Sequence, residues 1–268
     1  LVGSPKLTPE QAANAARQDL RVGDSRLDDL LALVEESAGI PVIVAKMPGG
    51  PEGVYTRARG VAFILINSDG FIVERQRFTL AHELGHHWLG HVEIWDQEIR
   101  RNDKRPKEKD ANSFASEFLV PRAAVDWWFS AHDDPEIDLE TLVRFAHYFR
   151  VSCPMARYRL ENTKRLTGQR QIKELDEAIA AKTHRSLSLR LGLMTTRDSL
   201  ALASTQSVRV PQKMKANILW ALSQGQISKE LAVMRLRLTP GQLADELQRE
   251  AAESKNELRD DSAVASRG

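Results

Sequence analysis

His82-Glu83-Leu84-Gly85-His86 places two imidazoles four residues apart, with a carboxylate beside the first. On a helix, residues four apart stand one above the other on the same face, so His82 and His86 can each direct a nitrogen at a single tetrahedral metal ion. Glu83 then sits where a carboxylate can take a proton from water held at such an ion. The chemistry offered by this spacing is metal-assisted hydrolysis. Two histidines on one helix also suit a half-buried packing face, so the flanking sequence has to decide.

The flanks predict a helix. Phe78, Leu80, Ala81, Leu84, Trp88 and Leu89 form an apolar stripe at helical spacing, and no proline interrupts Glu74 to Gly90. Upstream, Val61 to Ile66 is a continuous apolar run that reads as a buried strand, closed by the turn chemistry of Asn67-Ser68-Asp69-Gly70. Such a strand beside a metal-binding helix offers an edge to an extended peptide. A catalytic zinc needs a third protein ligand. His91 stands five residues past His86, well around the helix from the ligand face, and is expected to pack or face solvent, as is His87, with a hydrogen bond to substrate the alternative for either. A second predicted helix, from Glu108 to Leu119, supplies the better candidate: Glu108 and Asn112 share one face while Ala111, Phe114, Ala115, Phe118 and Leu119 make the packing side. Glu108 completes a two-histidine, one-glutamate set, and Asn112 is placed to hydrogen-bond a ligand from behind. By itself, a glutamate there reads as a solvated helix-start carboxylate favoured by the helix dipole.

Together, Arg77-Phe78-Thr79-Leu80-Ala81 running into His82-Glu83-Leu84-Gly85-His86, then Glu108, Ala111-Asn112-Ser113-Phe114-Ala115 and Leu119-Val120-Pro121, resemble the ImmA/IrrE family of metallopeptidases. That family typically reads R-F-T-x-A-H-E-L-G-H followed by E-x-x-A-N-x-F-A-x-x-L-L-M-P. Phe118 replaces a usual leucine and Val120 a usual methionine, and both changes are apolar. The resemblance spans about Leu27 to Leu160. It implies one zinc ion held by His82, His86 and Glu108, with Glu83 as the catalytic carboxylate. It also implies a bacterial or phage regulatory protease that cuts a helix-turn-helix repressor or antitoxin in response to stress. A transcriptional regulator or protein-binding module that keeps the metal site as a sensor is the alternative.

The rest of the chain fits that expectation. Hydrophobic residues make up 42% of 268, enough for a core, and no apolar run approaches a membrane span. The first residues resemble no leader, and the lack of a starting methionine suggests a trimmed or processed chain. Cys153 is the only cysteine, so no intrachain disulfide forms, in keeping with the cytoplasm. It lies at a predicted helix start, where either a favoured thiolate or a small buried residue fits. A net charge of +1 argues neither for nor against nucleic acid.

The expected fold is α+β: a zincin-like peptidase domain over residues 1–163 with a small sheet beside the H-E-x-x-H helix. A helical region over 164–253 and a disordered tail over 254–268 follow. Ahead of the core strand, Thr8-Pro9-Glu10-Gln11 starts one helix, Asp29 to Ser37 forms a second, and Pro41 to Ala45 is a strand. With only these elements there, a repressor partner is expected as a separate protein or outside this sequence. Tyr55 to Arg59 returns as an edge strand, and Arg100 to Lys107 is a polar linker between the metal helices. Trp127, Trp128 and Phe129 read as core, and Asp138 to Arg150 as an amphipathic helix. His132 and His147 lack ligand spacing. Beyond Lys164, short helices around Pro211–Ser223, Ile227–Leu236 and Pro240–Glu250 carry apolar faces through Ile218, Leu219, Leu222, Leu231, Leu236, Leu243 and Leu247, which must be buried somewhere. These helices only weakly resemble a DNA-binding helix-turn-helix, and a protein-docking or packing role is the preferred reading, the appendage being expected to dock against the peptidase domain and help choose the partner.

Overall fold

Thr8 opens the first helix as its sequence predicts. In the computed structural model, which describes residues 7–58, 60–91, 106–193, 199–204 and 208–249, its hydroxyl accepts the Gln11 N–H while the Gln11 side chain accepts the Thr8 N–H. The helix, α1, runs Pro9–Asp19. Asp29 caps α2 (Leu30–Ala32), which widens into a π-helical turn over Leu33–Ser37 and ends at Gly39, where a φ of +68° suits a residue without Cβ. Three strands follow: β1 (Val42–Ala45), β2 (Gly53–Ala58) and β3 (Val61–Asn67).

β3 pairs antiparallel with β2, Val54 opposite Leu65, and parallel with β1, Val42 opposite Ile64. A short fourth strand, β4 (Val208–Arg209), pairs antiparallel with β1, so the sheet order is β2-β3-β1-β4. This corrects one expectation. The apolar run at Val61 is an inner strand with both sides taken, and the edge nearest the histidine helix belongs to β2. Asn67 ends β3 by exchanging two hydrogen bonds with the Met47 backbone and accepting the Asp69 N–H at 2.9 Å.

The helices that follow are α3 (Val73–Trp88), α4 (Pro106–Leu119), α5 (Arg122–Ser130), α6 (Leu139–Phe149) and α7 (Cys153–Asn162), then α8 (Gln169–Ala180), α9 (Thr183–Arg190) and α10 (Ser199–Ala203). Helix α3 lies against β2 and β3 and against α4, and α1 packs on both α3 and α4. Trp128 and Phe129 enter the core as expected, but Trp127 is 54% exposed, its ring 5.8 Å from that of Tyr148. His132 accepts no metal-like setting; it stacks on Trp128 and bonds that residue's carbonyl. Cys153 begins α7 but is buried, and burial pushes its thiol up to about 11, so it acts as a small core residue rather than a thiolate.

Buried arginines tie these layers together. The Arg17 guanidinium collects the carbonyls of Gly23, Ser25 and Phe118, fastening α1 to the end of α4. Burial lowers its pKa to about 10, so it stays charged at neutral pH. Arg77 on α3 donates to the carbonyls of Leu27 (2.5 Å) and Arg150 (3.1 Å). Arg159 pairs with Glu117 and donates to the Val120 carbonyl at 2.7 Å. A planar fork of donors suits this bridging of irregular backbone better than an ammonium would.

The chain divides into two compact units, residues 1–209 and 210–268. The boundary expected at 163 therefore falls inside the first unit. Its cause is packing: α8 lies on α7, α9 on α6, α10 on α2 and α3, and β4 completes the sheet. Arg209 reinforces β4 by pairing with Glu35 (Nη2 to Oε2, 2.6 Å) and donating to the Val42 carbonyl at 3.0 Å. The second unit contains α11 (Gln212–Ser223), α12 (Lys229–Leu236) and a helix through 240–249, begun by the reciprocal Thr239–Gln242 cap. Leu219, Ala232, Leu236 and Leu243 form its own small core, with Ile218, Leu222 and Leu247 packed around them. The apolar faces read from the sequence are thus covered largely by one another, and Leu231 is outside that cluster. Of the expected linker over 100–107, Pro106 and Lys107 instead begin α4, while residues 100–105 and the expected tail over 254–268 lie outside the described residues.

Two outcomes follow from this packing. Glu117→Leu leaves the Arg159 charge buried without its partner and should cost about 3–5 kcal/mol in urea unfolding, most of it recovered when Arg159→Met is added. A chain ended at Lys164 loses α8–α10, β4 and the Arg209–Glu35 pair, and should melt well below one ended at Arg209, as a thermal scan would show.

Candidate metal centre

Helix α3 is held in place by polar contacts at its start: Gln76 donates to the Phe71 carbonyl at 2.8 Å and accepts from Ser204 at 2.7 Å. Its apolar residues Leu80, Ala81 and Leu84 are fully buried. Two glycines let its neighbours come close. A Cβ on Gly85 would lie 2.9 Å from Cδ1 of Phe114 on α4, and a Cβ on Gly53 of β2 would lie 2.5 Å from Thr79 Cγ2 and 2.8 Å from Glu83 Oε1. All three distances are shorter than real Cβ contacts show. Helix α3 is therefore gripped from two sides, with α4 on one and the edge strand on the other.

That grip brings the histidines and Glu108 together. His82 Nε2 is 3.0 Å from His86 Nε2 and 3.1 Å from Glu108 Oε2, while His86 Nε2 is 3.5 Å from Glu108 Oε1. One potential ligand atom from each of the three lies within 4.8 Å of the others, a group of the size a single ion needs. Glu108 is a buried residue in the first turn of α4, which removes the solvated-carboxylate reading. The imidazole hydrogen bonds hold its carboxylate far below the usual range. Burial opposes a charge on His82, but the bond to Glu108 and the charges of Glu83 and Glu108 outweigh it and raise its pKa.

Asn112 lies where expected, its Oδ1 3.0 Å from His82 Nδ1. His91 does not. It is 7% exposed and its Nδ1 is 2.9 Å from His86 Nδ1, directly behind the second candidate ligand. Helical projection misses this because the helix stops: Gly90 adopts φ +65° and turns the chain back. The signal was the Gly90 C-terminal cap.

Glu83 faces the strand. It is 5% exposed, burial raises its pKa against the pull of His82 and His86, and the Tyr55 N–H of β2 donates to its carboxylate. The Tyr55 hydroxyl lies 3.0 Å from His87 Nδ1 and accepts from Arg57 Nε at 2.9 Å, so His87 braces the edge strand rather than reaching the histidine–glutamate cluster. A carboxylate with raised basicity beside a set of two nitrogens and one oxygen is equipped for proton transfer next to a divalent ion.

Restoring bulk at the helix crossing should disturb this geometry. Gly85→Ala drives a methyl into the Phe114 ring and is expected to cost about 1–3 kcal/mol, with Phe114→Leu in the same chain relieving most of it. Calorimetry and zinc titration of the single and double variants would show both effects together.

No helix among the described residues is long and apolar enough to cross a membrane. No curated protein matches the chain in sequence. The model of the IrrE N-terminal-like domain matches residues 35–161, the span that carries β1–β3, α3, Glu108 and the helices to α7. Over that span, just under half of its length, the chain is similar to the IrrE N-terminal-like family of metallopeptidases.

Proposed function

We propose that the protein is a zinc-dependent endopeptidase that cuts a regulatory protein partner, a helix-turn-helix repressor or an antitoxin, with His82, His86 and Glu108 as the ligands of one zinc ion. The reading rests above all on the convergence of those three side chains from two helices, beside a buried Glu83. Two imidazoles and a carboxylate are a donor set that zinc accepts, and three protein ligands leave a position open for chemistry. Zinc bound there supplies Lewis acidity toward the scissile carbonyl and lowers the pKa of water.

The chain's own groups do the rest. Glu83 accepts a proton from the attacking water and delivers it to the leaving amine nitrogen; its raised pKa suits both directions of that transfer. The Tyr55 N–H of β2 holds the carboxylate by a hydrogen bond. Asn112 Oδ1 can only accept, so it favours the His82 tautomer with the proton on Nδ1 and a lone pair on Nε2. As the edge of the sheet, β2 offers backbone to an extended peptide, a role first expected of the Val61 strand.

The test is incubation of the zinc-loaded protein with the repressor or antitoxin encoded beside its gene. Wild type should cut it, a chelator should stop cutting, and added zinc should restore it. Glu83→Gln should keep zinc and fold yet cut about 10²–10⁴-fold more slowly, whereas His82→Ala and Glu108→Ala should lose the ion. Undiminished cutting by Glu83→Gln would overturn the mechanism. Tight binding of an uncut partner by zinc-loaded wild type would favour the sensor reading.

A further inference from the structure

Helix α3 ends in a turn that does more than stop it. Leu89 is the last residue in helical conformation, Gly90 takes φ +65°, the Gly90 N–H bonds the His87 carbonyl and the His91 N–H bonds the His86 carbonyl at 2.9 Å. This pair of bonds is the Schellman arrangement, in which the second residue past the helix folds back beneath the third-last. Here those two residues are His91 and His86. The backbone bond from His91 to His86 is therefore matched by a side-chain bond between the same residues, Nδ1 to Nδ1 at 2.9 Å, with the rings tilted at 58°. Both residues are buried, at 9% and 7% exposure, so the nitrogens are held against each other away from solvent.

We propose that His91 is a positioning residue for His86, accepting its Nδ1 proton and so fixing the tautomer and ring direction that leave Nε2 free to bind a metal ion. The proposal rests on the reading of His86 as a zinc ligand. Two nitrogens 2.9 Å apart share one proton, and only two arrangements exist. With the proton on His86, its Nε2 carries a lone pair aimed at the same space as His82 Nε2 and Glu108. With the proton on His91, a neutral His86 would carry its own proton on Nε2 and have nothing to give a cation. A ligating histidine requires the first arrangement, which makes His91 the acceptor and leaves its own proton on Nε2. Asn112 does the same for His82 from an exposed position, so the two ligands are pinned by different acceptors, one an amide and one an imidazole.

The measurement is zinc affinity by competition with a chromophoric chelator at fixed pH, for wild type, His91→Phe, His91→Gln and His86→Ala. His91→Phe should weaken binding about 10–100-fold, and His91→Gln, whose amide oxygen accepts a hydrogen bond, should recover much of that. Equal losses in the two His91 variants, or wild-type affinity in both while His86→Ala fails to bind, would overturn the role of His91 and leave the site standing. Wild-type affinity in His86→Ala would instead remove the ligand assignment beneath it. Nitrogen-15 spectra of the zinc-loaded wild type decide the matter even if a variant does not fold: His91 should carry its proton on Nε2 and His86 on Nδ1, and a proton on His91 Nδ1 would end the proposal.

Discussion

The distance between α3 and α4 governs everything else in the first unit. Glu108 and the two histidines lie on different helices, and a carboxylate reaches two imidazoles only if the backbones cross closely. Gly85 permits that approach by leaving room for the Phe114 ring, and Phe114 in turn stacks on Phe118 at 5.5 Å to carry the contact along α4. The small residue inside the H-E-x-x-H motif is thus a packing requirement as much as the histidines are a chemical one. Gly53 repeats the device across the helix, where β2 must come near enough for the Tyr55 N–H to meet Glu83.

Electrostatics reinforce that geometry. Glu108 draws both imidazoles toward itself, and Glu83 sits behind them in a drier setting that raises its pKa. Two carboxylates close in space thus differ sharply in proton affinity because one is bonded to imidazoles and the other is buried against a strand. Rigid neighbours maintain the contrast: the Arg77 guanidinium fastens the same helix to Leu27 and Arg150.

Much of this was legible in the sequence, for a definite reason. Helical periodicity puts His82 over His86 and Glu108 over Asn112, so the elements and their chemical faces follow from spacing alone. What escaped depends on where helices and strands stop. His91 projects away from the site on an endless helix and returns to it only because Gly90 ends that helix. Tyr55 to Arg59 reads as an edge strand from the sequence, yet the hydropathy of the Val61 run does not say that both its sides are taken. The extent of the first unit was hidden because β4 is two residues long and its anchoring by Arg209 to Glu35 has no local signature.

That last pairing has a consequence for how the chain is born. Glu35 and Arg209 are 174 residues apart, while both helices of the candidate metal centre are complete by Leu119. A chain emerging from the ribosome can therefore cross α3 and α4 well before the sheet receives its fourth strand. Closing so long a loop is slow relative to local helix packing, and domains mature as synthesis proceeds from the amino end. The histidine–glutamate cluster is thus an early product of translation, and the sheet beneath it is sealed late, from the far end of the unit.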